Sequence, residues 1–252
     1  MRNAAQEITQ ITQFLTHTYA KHGIAHAVVA VSGGIDSAVS LSLLARAVPR
    51  EHIFPVLLPY GRQNMDDAKT MCVWNSLPKS QWVERNIQSP VNALCSVLNI
   101  SSNDHLRKGN VMARVRMIAV YDTAKEKRAL VCGTENKSEH YLGYFTRFGD
   151  AASDIEPIAH LYKTEVYALA QELGIPQQIL SKAPSAGLWN NQTDENELGF
   201  TYEQADQVLE QLIDKKKSPS SLVIEGIDQE IIQRIVHHVH QQAFKLEVPY
   251  SR

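Results

Sequence analysis

Apolar positions along the chain alternate between two rhythms. Residues 3–22 place Ile8, Ile11, Leu15 and Tyr19 three and four apart, which predicts an amphipathic helix with one face on a core. Ala27-Val28-Val29-Ala30-Val31 follows without interruption, as a strand covered on both faces would read, and residues 37–48 return to helical spacing through Val39, Leu43 and Ala47. The alternation then repeats. A strand at 53–58 is closed by Pro59-Tyr60-Gly61, and a helix at 64–74 is capped by Asn64, with Asp66 and Asp67 in its first turn. A weaker strand covers 81–87, and Ser89-Pro90 reads as the N-cap and first residue of a helix to about residue 98. The helix pattern at 110–128 is the strongest in the chain, and Ala129-Leu130-Val131-Cys132 is the next strand. Helices at 161–173, 201–213 and 228–243 complete the series, the first closed by Gly174 and Pro176. Such alternation predicts an α/β fold of Rossmann-like type: a doubly wound, mainly parallel sheet with helices on both faces and ligands at the carboxyl ends of its strands.

Three interruptions carry more information than the rhythm. The first strand ends in Ser32-Gly33-Gly34-Ile35-Asp36-Ser37. Glycines let backbone N–H groups approach an anion closely, and the new helix contributes unpaired donors and its positive dipole end. A phosphate suits that loop. Asp36 at its mouth would repel a bare phosphate, so a divalent cation, magnesium, is implied between them. The polar stretches 134–154 and 181–200 are too long for ordinary connections, which marks them as functional loops.

Length and composition narrow the class. The 252 residues, 44% hydrophobic and 21% charged, suit one globular domain spanning the chain, and a net charge of −2 provides no field for nucleic acid. Cys72, Cys95 and Cys132 form no C-x-x-C pair and read as buried reduced thiols of a cytoplasmic protein. Asn3, Gln6 and Glu7 make the first ten residues polar, so no secretory signal is expected, and no apolar run approaches the length of a membrane span. His237, His238 and His240 lie on one helix without an acidic or cysteine partner nearby in sequence, and read as a solvated face rather than a metal site. Lys215-Lys216-Lys217-Ser218-Pro219 reads as a solvated linker.

The loop at 32–37 is neither G-x-x-x-x-G-K-[ST] nor G-x-G-x-x-G. It resembles the S-G-G-x-D-S loop of the ATP pyrophosphatases, with an adenine nucleotide hydrolase-like fold. Further segments narrow this to a resemblance to the ammonia-dependent NAD synthetases: Lys108-Gly109-Asn110 with Arg114 and Arg116, residues 133–139, residues 143–150, Leu161-Tyr162-Lys163-Thr164, Pro184-Ser185-Ala186, and Gln192-Thr193-Asp194-Glu195. The resemblance implies amidation of deamido-NAD by ammonia through an adenylated intermediate, with release of AMP and pyrophosphate. ATP is then expected on Ser32, Gly33, Gly34, Ile35, Asp36 and Ser37, with Gln63, Thr134, Lys163 and Ser185. Magnesium is expected on Asp36 and Glu139, and the dinucleotide on Arg114, Arg147, Asp154 and Lys245. A homodimer is implied, with the helix at 110–128 as candidate interface. Two positions depart from the common family pattern: Ala151-Ala152 replaces a glycine pair, and Phe244 stands where a histidine is frequent.

Within that chemistry Lys163 is expected to supply fixed positive charge to the phosphates; a solvated lysine at a helix start is the competing account. Asp150 is the expected base for ammonium, against an ordinary turn aspartate. The length leaves no room for a glutamine-cleaving domain beside the synthetase, so free ammonia is the expected nitrogen source. The rivals are another adenylating enzyme with the same loop, such as a tRNA-modifying one, and a silent nucleotide-binding module.

Overall fold

The structure is a computed structural model that describes residues 3–189 and 192–250. It opens with helix α1 (Ala4–His22), capped by the Asn3 side chain and ended by Gly23 at φ 63°. Strands β1 (His26–Ala30), β2 (Ile53–Leu57), β3 (Val83–Glu84) and β4 (Ala129–Cys132) form a parallel sheet in the order β3-β2-β1-β4. Helices α2 (Ile35–Ala47), α3 (Asp66–Trp74), α4 (Gln88–Val97) and α5 (His105–Lys127) connect the strands. After β4 come α6 (Lys137–Leu142), α7 (Lys163–Glu172), α8 (Gln177–Leu180), α9 (Asp194–Leu198), α10 (Tyr202–Leu209) and α11 (Gln229–Gln242).

Alternation along the strands divides the interior. Ala27, Val29, Ile53, Leu57 and Cys132 face one way and pack with Leu15, Leu41, Leu44, Met71, Val166 and Leu169 of α1, α2, α3 and α7. Val28, Phe54, Val56 and Val131 face the other way, onto Val91, Met112, Val115 and Ala124 of α4 and α5. Both faces of the sheet are therefore covered, as strands without polar alternation require. A third apolar cluster joins α6, α10 and α11 through Leu142, Leu209, Ile232 and Ile235 beside Tyr162.

The doubly wound expectation holds, and the strand order adds what periodicity did not specify. The chain winds from β1 outward through β2 to β3, then returns to place β4 on the other side of β1. That reversal opens a crevice between the carboxyl ends of β1 and β4, where open α/β sheets bind ligands.

Several boundaries shift for identifiable reasons. Ile35 already begins α2, with Gly34 as N-cap, so the first helical turn is part of the glycine loop. Ser89-Pro90 does not open α4. The helix starts at Gln88, whose N–H donates to Asn86 Oδ1 at 2.9 Å, and Pro90 occupies another first-turn position that needs no N–H. Asn64 is not the N-cap of α3, a position Met65 holds without a side-chain bond; Asn64 lies one residue earlier, its Oδ1 accepting the Asp66 N–H at 2.6 Å. Helix α5 begins five residues before the expected start at 110, because Asp104 Oδ1 accepts the Arg107 N–H at 3.1 Å. The loops at 134–154 and 181–200 contain the short helices α6 and α9. Cys72 and Cys132 are buried and Cys95 is half-buried, all three as free thiols. No helix among the described residues is long and apolar enough to cross a membrane.

Candidate active site

The floor of the site is the turn from β1 into α2. Ser37 Oγ donates to Gly34 O at 3.0 Å and lies 3.1 Å from Ser32 Oγ, which accepts the Gly34 N–H at 3.1 Å. The two hydroxyls thus fold the loop back on itself. Gly33 has φ +85°, and a Cβ there would come within 2.8 Å of Asp67 Cβ and 3.0 Å of the Ala68 amide nitrogen. Only glycine fits this position without displacing α3. Ile35, Asp36 and Ser37 hold the first-turn amides of α2, which have no partner within the helix.

The opposite wall is the turn from β4 into α6. Asn136, fully buried, is the N-cap of α6, its Oδ1 accepting the Glu139 N–H at 2.9 Å while its Nδ2 donates to Asp36 Oδ1 at 2.8 Å. Lys163, the first residue of α7, is only 1% exposed. Its ammonium donates to Asp36 Oδ2 at 2.6 Å and to Glu139 Oε1 at 2.8 Å, and stands 5.1 Å from the centre of the Tyr202 ring. Three residues that are distant in sequence thereby converge at the switch point. The solvated-lysine account of Lys163 is excluded.

A cation at a helix N-terminus opposes the dipole, so this lysine needs compensation. Burial lowers its pKa, but Asp36 and Glu139 outweigh that and hold it above the ordinary lysine range. Burial acts on Glu139 in the opposite sense, raising its carboxyl, with Lys163 pulling it back. The start of α7 is secured from α10. Asp206 accepts the Ser138 hydroxyl and, at 2.9 Å, the Thr164 N–H, and Ser138 Oγ accepts the Lys163 N–H at 2.8 Å.

Residues 184–187 are tied to the start of α9. Buried Asp194 donates its own N–H to Pro184 O at 3.0 Å and accepts the Ala186 N–H at 3.1 Å and the Tyr202 hydroxyl at 3.1 Å. Ser185, which accepts the Gly187 N–H at 3.1 Å, is thus held on an exposed turn. Gln63 accepts the Arg116 Nη2 at 3.1 Å and lies beside Gly187, and Thr134 is half-buried just after β4.

Of the four expected dinucleotide residues, three come together. Arg114 Nε donates to Arg147 O at 3.3 Å, Arg147 lies 5.2 Å over the Phe244 ring, and Lys245 Nζ donates to Gly143 O at 2.6 Å and Phe145 O at 3.3 Å. Burial and the neighbouring Arg147 lower the Lys245 pKa, with Asp150 opposing. Asp154 lies apart from them. It is exposed at the outer edge of β4, where its Oδ2 accepts the Val131 N–H at 2.8 Å. Asp150 Oδ1 accepts the Thr146 N–H at 2.9 Å, the bond of a turn aspartate. His238 is half-buried rather than solvated: its Nε2–H donates to Leu142 O at 2.9 Å, the proton being fixed there because a carbonyl only accepts. No metal-ligating cluster of His, Cys, Asp and Glu occurs among the described residues.

Sequence reasoning did not single out Asn136, Tyr202, Asp194 or Asp206. The spacing Asn136-x-x-Glu139 was a visible helix-start signal; the other three are assembled only by tertiary packing.

A glycine turn at a helix start, facing a lysine bound to two carboxylates at a parallel-sheet switch point, is the arrangement of an α/β protein that binds an anionic ligand such as a nucleotide. The narrower assignment comes from comparison: the NAD synthase family model matches residues 7–249, and the chain belongs to that family. It is 37% identical over 249 residues to the NH(3)-dependent NAD(+) synthetase of Fusobacterium nucleatum, covering 98% of this chain and 95% of that one. Among solved structures, it is similar to the NMN synthetase of Francisella tularensis, with TM-score 0.84, 30% identity and coverage of 100% and 99%. It is also similar to the NH3-dependent NAD synthetase of Campylobacter jejuni, with TM-score 0.81, 28% identity and full coverage of both chains.

Proposed function

We propose that this chain amidates deamido-NAD with ammonia to form NAD, consuming ATP and releasing AMP and pyrophosphate. The observation that carries the reading is Lys163 held between Asp36 and Glu139 directly opposite the glycine turn. A carboxylate resists attack by nitrogen, because the leaving group would be oxide. In the proposed reaction an oxygen of the pyridine carboxylate bonds to the α phosphorus of ATP as the bond to pyrophosphate breaks. Ammonia then adds to the acyl carbon and AMP leaves.

The residues divide that work. The amides of Gly33, Gly34 and the first turn of α2 receive phosphate oxygens, and Lys163 offsets charge that grows on the departing pyrophosphate. Gln63, Thr134 and Ser185 line the remainder of the ATP site. Asp36 and Glu139 are an all-oxygen donor pair, which suits magnesium because that ion takes one or two carboxylates together with phosphate oxygens. Magnesium would neutralise phosphate charge there. Arg114, Arg147 and Lys245 form a cationic rim for the dinucleotide phosphates, and the Phe244 ring beneath Arg147 orients one of them. Asp154 is assigned to the same substrate from the family pattern alone. Asp150 is assigned as the base that takes the proton of ammonium.

The surface of α4 and α5 supports a homodimer. Leu94, Val97, Leu106 and Ile118 are 39–76% exposed there, an apolar area that a second copy would cover. Three free thiols suit the reducing cytoplasm. The likeness to the Francisella protein favours a second reading, the same amidation on nicotinate mononucleotide to give NMN. One assay separates the two. AMP release is measured with ATP, magnesium and ammonium, with either deamido-NAD or nicotinate mononucleotide added. The proposal expects faster release with the dinucleotide, and AMP release that needs neither substrate would overturn it.

A further inference from the structure

Asn136 takes no part in the chemistry derived above, yet it is fully buried and its side-chain amide bonds the Asp36 carboxylate at one end and the Glu139 backbone N–H at the other. As a helix cap it needs only an oxygen, and serine or aspartate would serve equally well. Asparagine alone among the strong caps carries a donor on an atom separate from its cap oxygen, since a serine or threonine hydroxyl must use one oxygen for both roles. That donor is used: Nδ2 gives a 2.8 Å hydrogen bond to Asp36 Oδ1, across the crevice, while Oδ1 receives the Glu139 N–H at 2.9 Å. The bond to Oδ1 fixes the Asp36 carboxylate so that its other oxygen, Oδ2, faces Lys163 at 2.6 Å.

We propose that Asn136 is a positioning residue whose two amide ends tie Asp36 at the start of α2 to Glu139 in the first turn of α6. It thereby holds the Asp36 carboxylate against the start of α6, facing Glu139, in the arrangement that accepts magnesium-bound ATP. Strands β1 and β4 set only the backbone separation of the two walls; Lys163 bonds both carboxylates, and Asn136 adds the bond that fixes the second oxygen of Asp36. This inference rests on the assignment of Asp36 and Glu139 under the proposed function.

The test uses Asn136→Ser, which keeps the cap oxygen and loses the separate amide donor, Asn136→Asp, which keeps the cap and turns a second oxygen toward Asp36, and Asn136→Ala, which loses both. Melting temperature is measured on the free protein, binding of Mg·ATP by calorimetry without dinucleotide, and KM and kcat for ATP separately. Asn136→Ser should melt above Asn136→Ala yet bind Mg·ATP about tenfold more weakly than the parent, the scale of a lost hydrogen bond to a charged group. Asn136→Asp should bind it more weakly still, and in both variants KM should rise more than kcat falls. Parental Mg·ATP affinity in Asn136→Ser would overturn the proposal and leave Asn136 a helix cap only. If in that case Asp36→Ala still abolishes binding, the functional reading stands; if the parent itself does not bind Mg·ATP, that reading fails. Should the Asn136 variants not fold, the parent labelled with 15N-asparagine decides. Asp36→Asn should then move the Asn136 side-chain amide resonances more than those of any other asparagine, and an unmoved Asn136 would overturn the proposal.

Discussion

Lys163→Met removes the cation at the centre of the site while keeping a side chain of similar length. Because Lys163 is 1% exposed and bound at 2.6 and 2.8 Å to Asp36 and Glu139, the variant leaves two facing carboxylates without their partner. Breaking a buried ion pair in this one-sided way costs about 3–5 kcal/mol. At about 2–4 °C per kcal/mol for a chain of this size, the melting temperature should drop by roughly 6–20 °C. The pH dependence follows from signs. The folded pKa of Lys163 lies above 10.5, so its contribution in the parent is complete below that value and is lost only as pH rises through the folded pKa. In the variant the two carboxylates repel each other, which raises their folded pKa values, so the deficit should shrink as pH falls from 8 toward 5. Catalysis should suffer separately, with AMP release falling about 10²–10³-fold, the scale for deleting one fixed transition-state charge or donor. Scanning fluorimetry across pH and an AMP-release assay check both effects. An unchanged melting temperature together with turnover within threefold of the parent would refute the reasoning.

Gly33→Ala should lower both stability and Mg·ATP affinity, because φ +85° and the 2.8 Å approach to Asp67 Cβ leave no room for a methyl group; a cost of about 1–3 kcal/mol is expected by melting and by calorimetry. Asp206→Asn should cost about 1–3 kcal/mol by loosening the start of α7, and should lower kcat through Lys163, which stopped-flow and thermal melts can separate. Burial pushes the Glu156 carboxyl up to about 7, so folding favours its protonated form. Its contribution is therefore greatest below the ordinary glutamate value of 4.5 and fades as pH rises toward 7, and Glu156→Gln should flatten that part of the stability profile in melts from pH 4 to 8. Asp150→Asn should slow amide formation while pyrophosphate exchange persists, and an unchanged rate of amide formation would remove its assignment as base.

Much of this architecture was legible before any coordinates. Uninterrupted runs such as Val28-Val29 and Val56-Leu57 announced strands covered on both sides, and the glycines after β1 announced an anion site. The burial of Ile8, Ile11, Leu15 and Tyr19 follows directly from their spacing. What remained hidden has a common cause. Helix α6 is six residues long and contributes only Leu142 as a buried apolar side chain, too little to produce a period. Asp206 reads as an ordinary helical aspartate until α10 brings it 42 positions back to cap Thr164. Tyr202 reads as one more apolar contact of α10, whereas its ring stands beside the Lys163 ammonium and its hydroxyl holds Asp194. The strand order is likewise a long-range property, and it is the return of β4 to the side of β1 that brings Glu139 and Lys163 to Asp36.

The account depends above all on where the triphosphate of ATP binds. A crystal structure of the protein soaked with ATP and magnesium should show the phosphate chain on the amides of residues 32–37, with Lys163 in contact with it. Density for the triphosphate anywhere else would contradict the account.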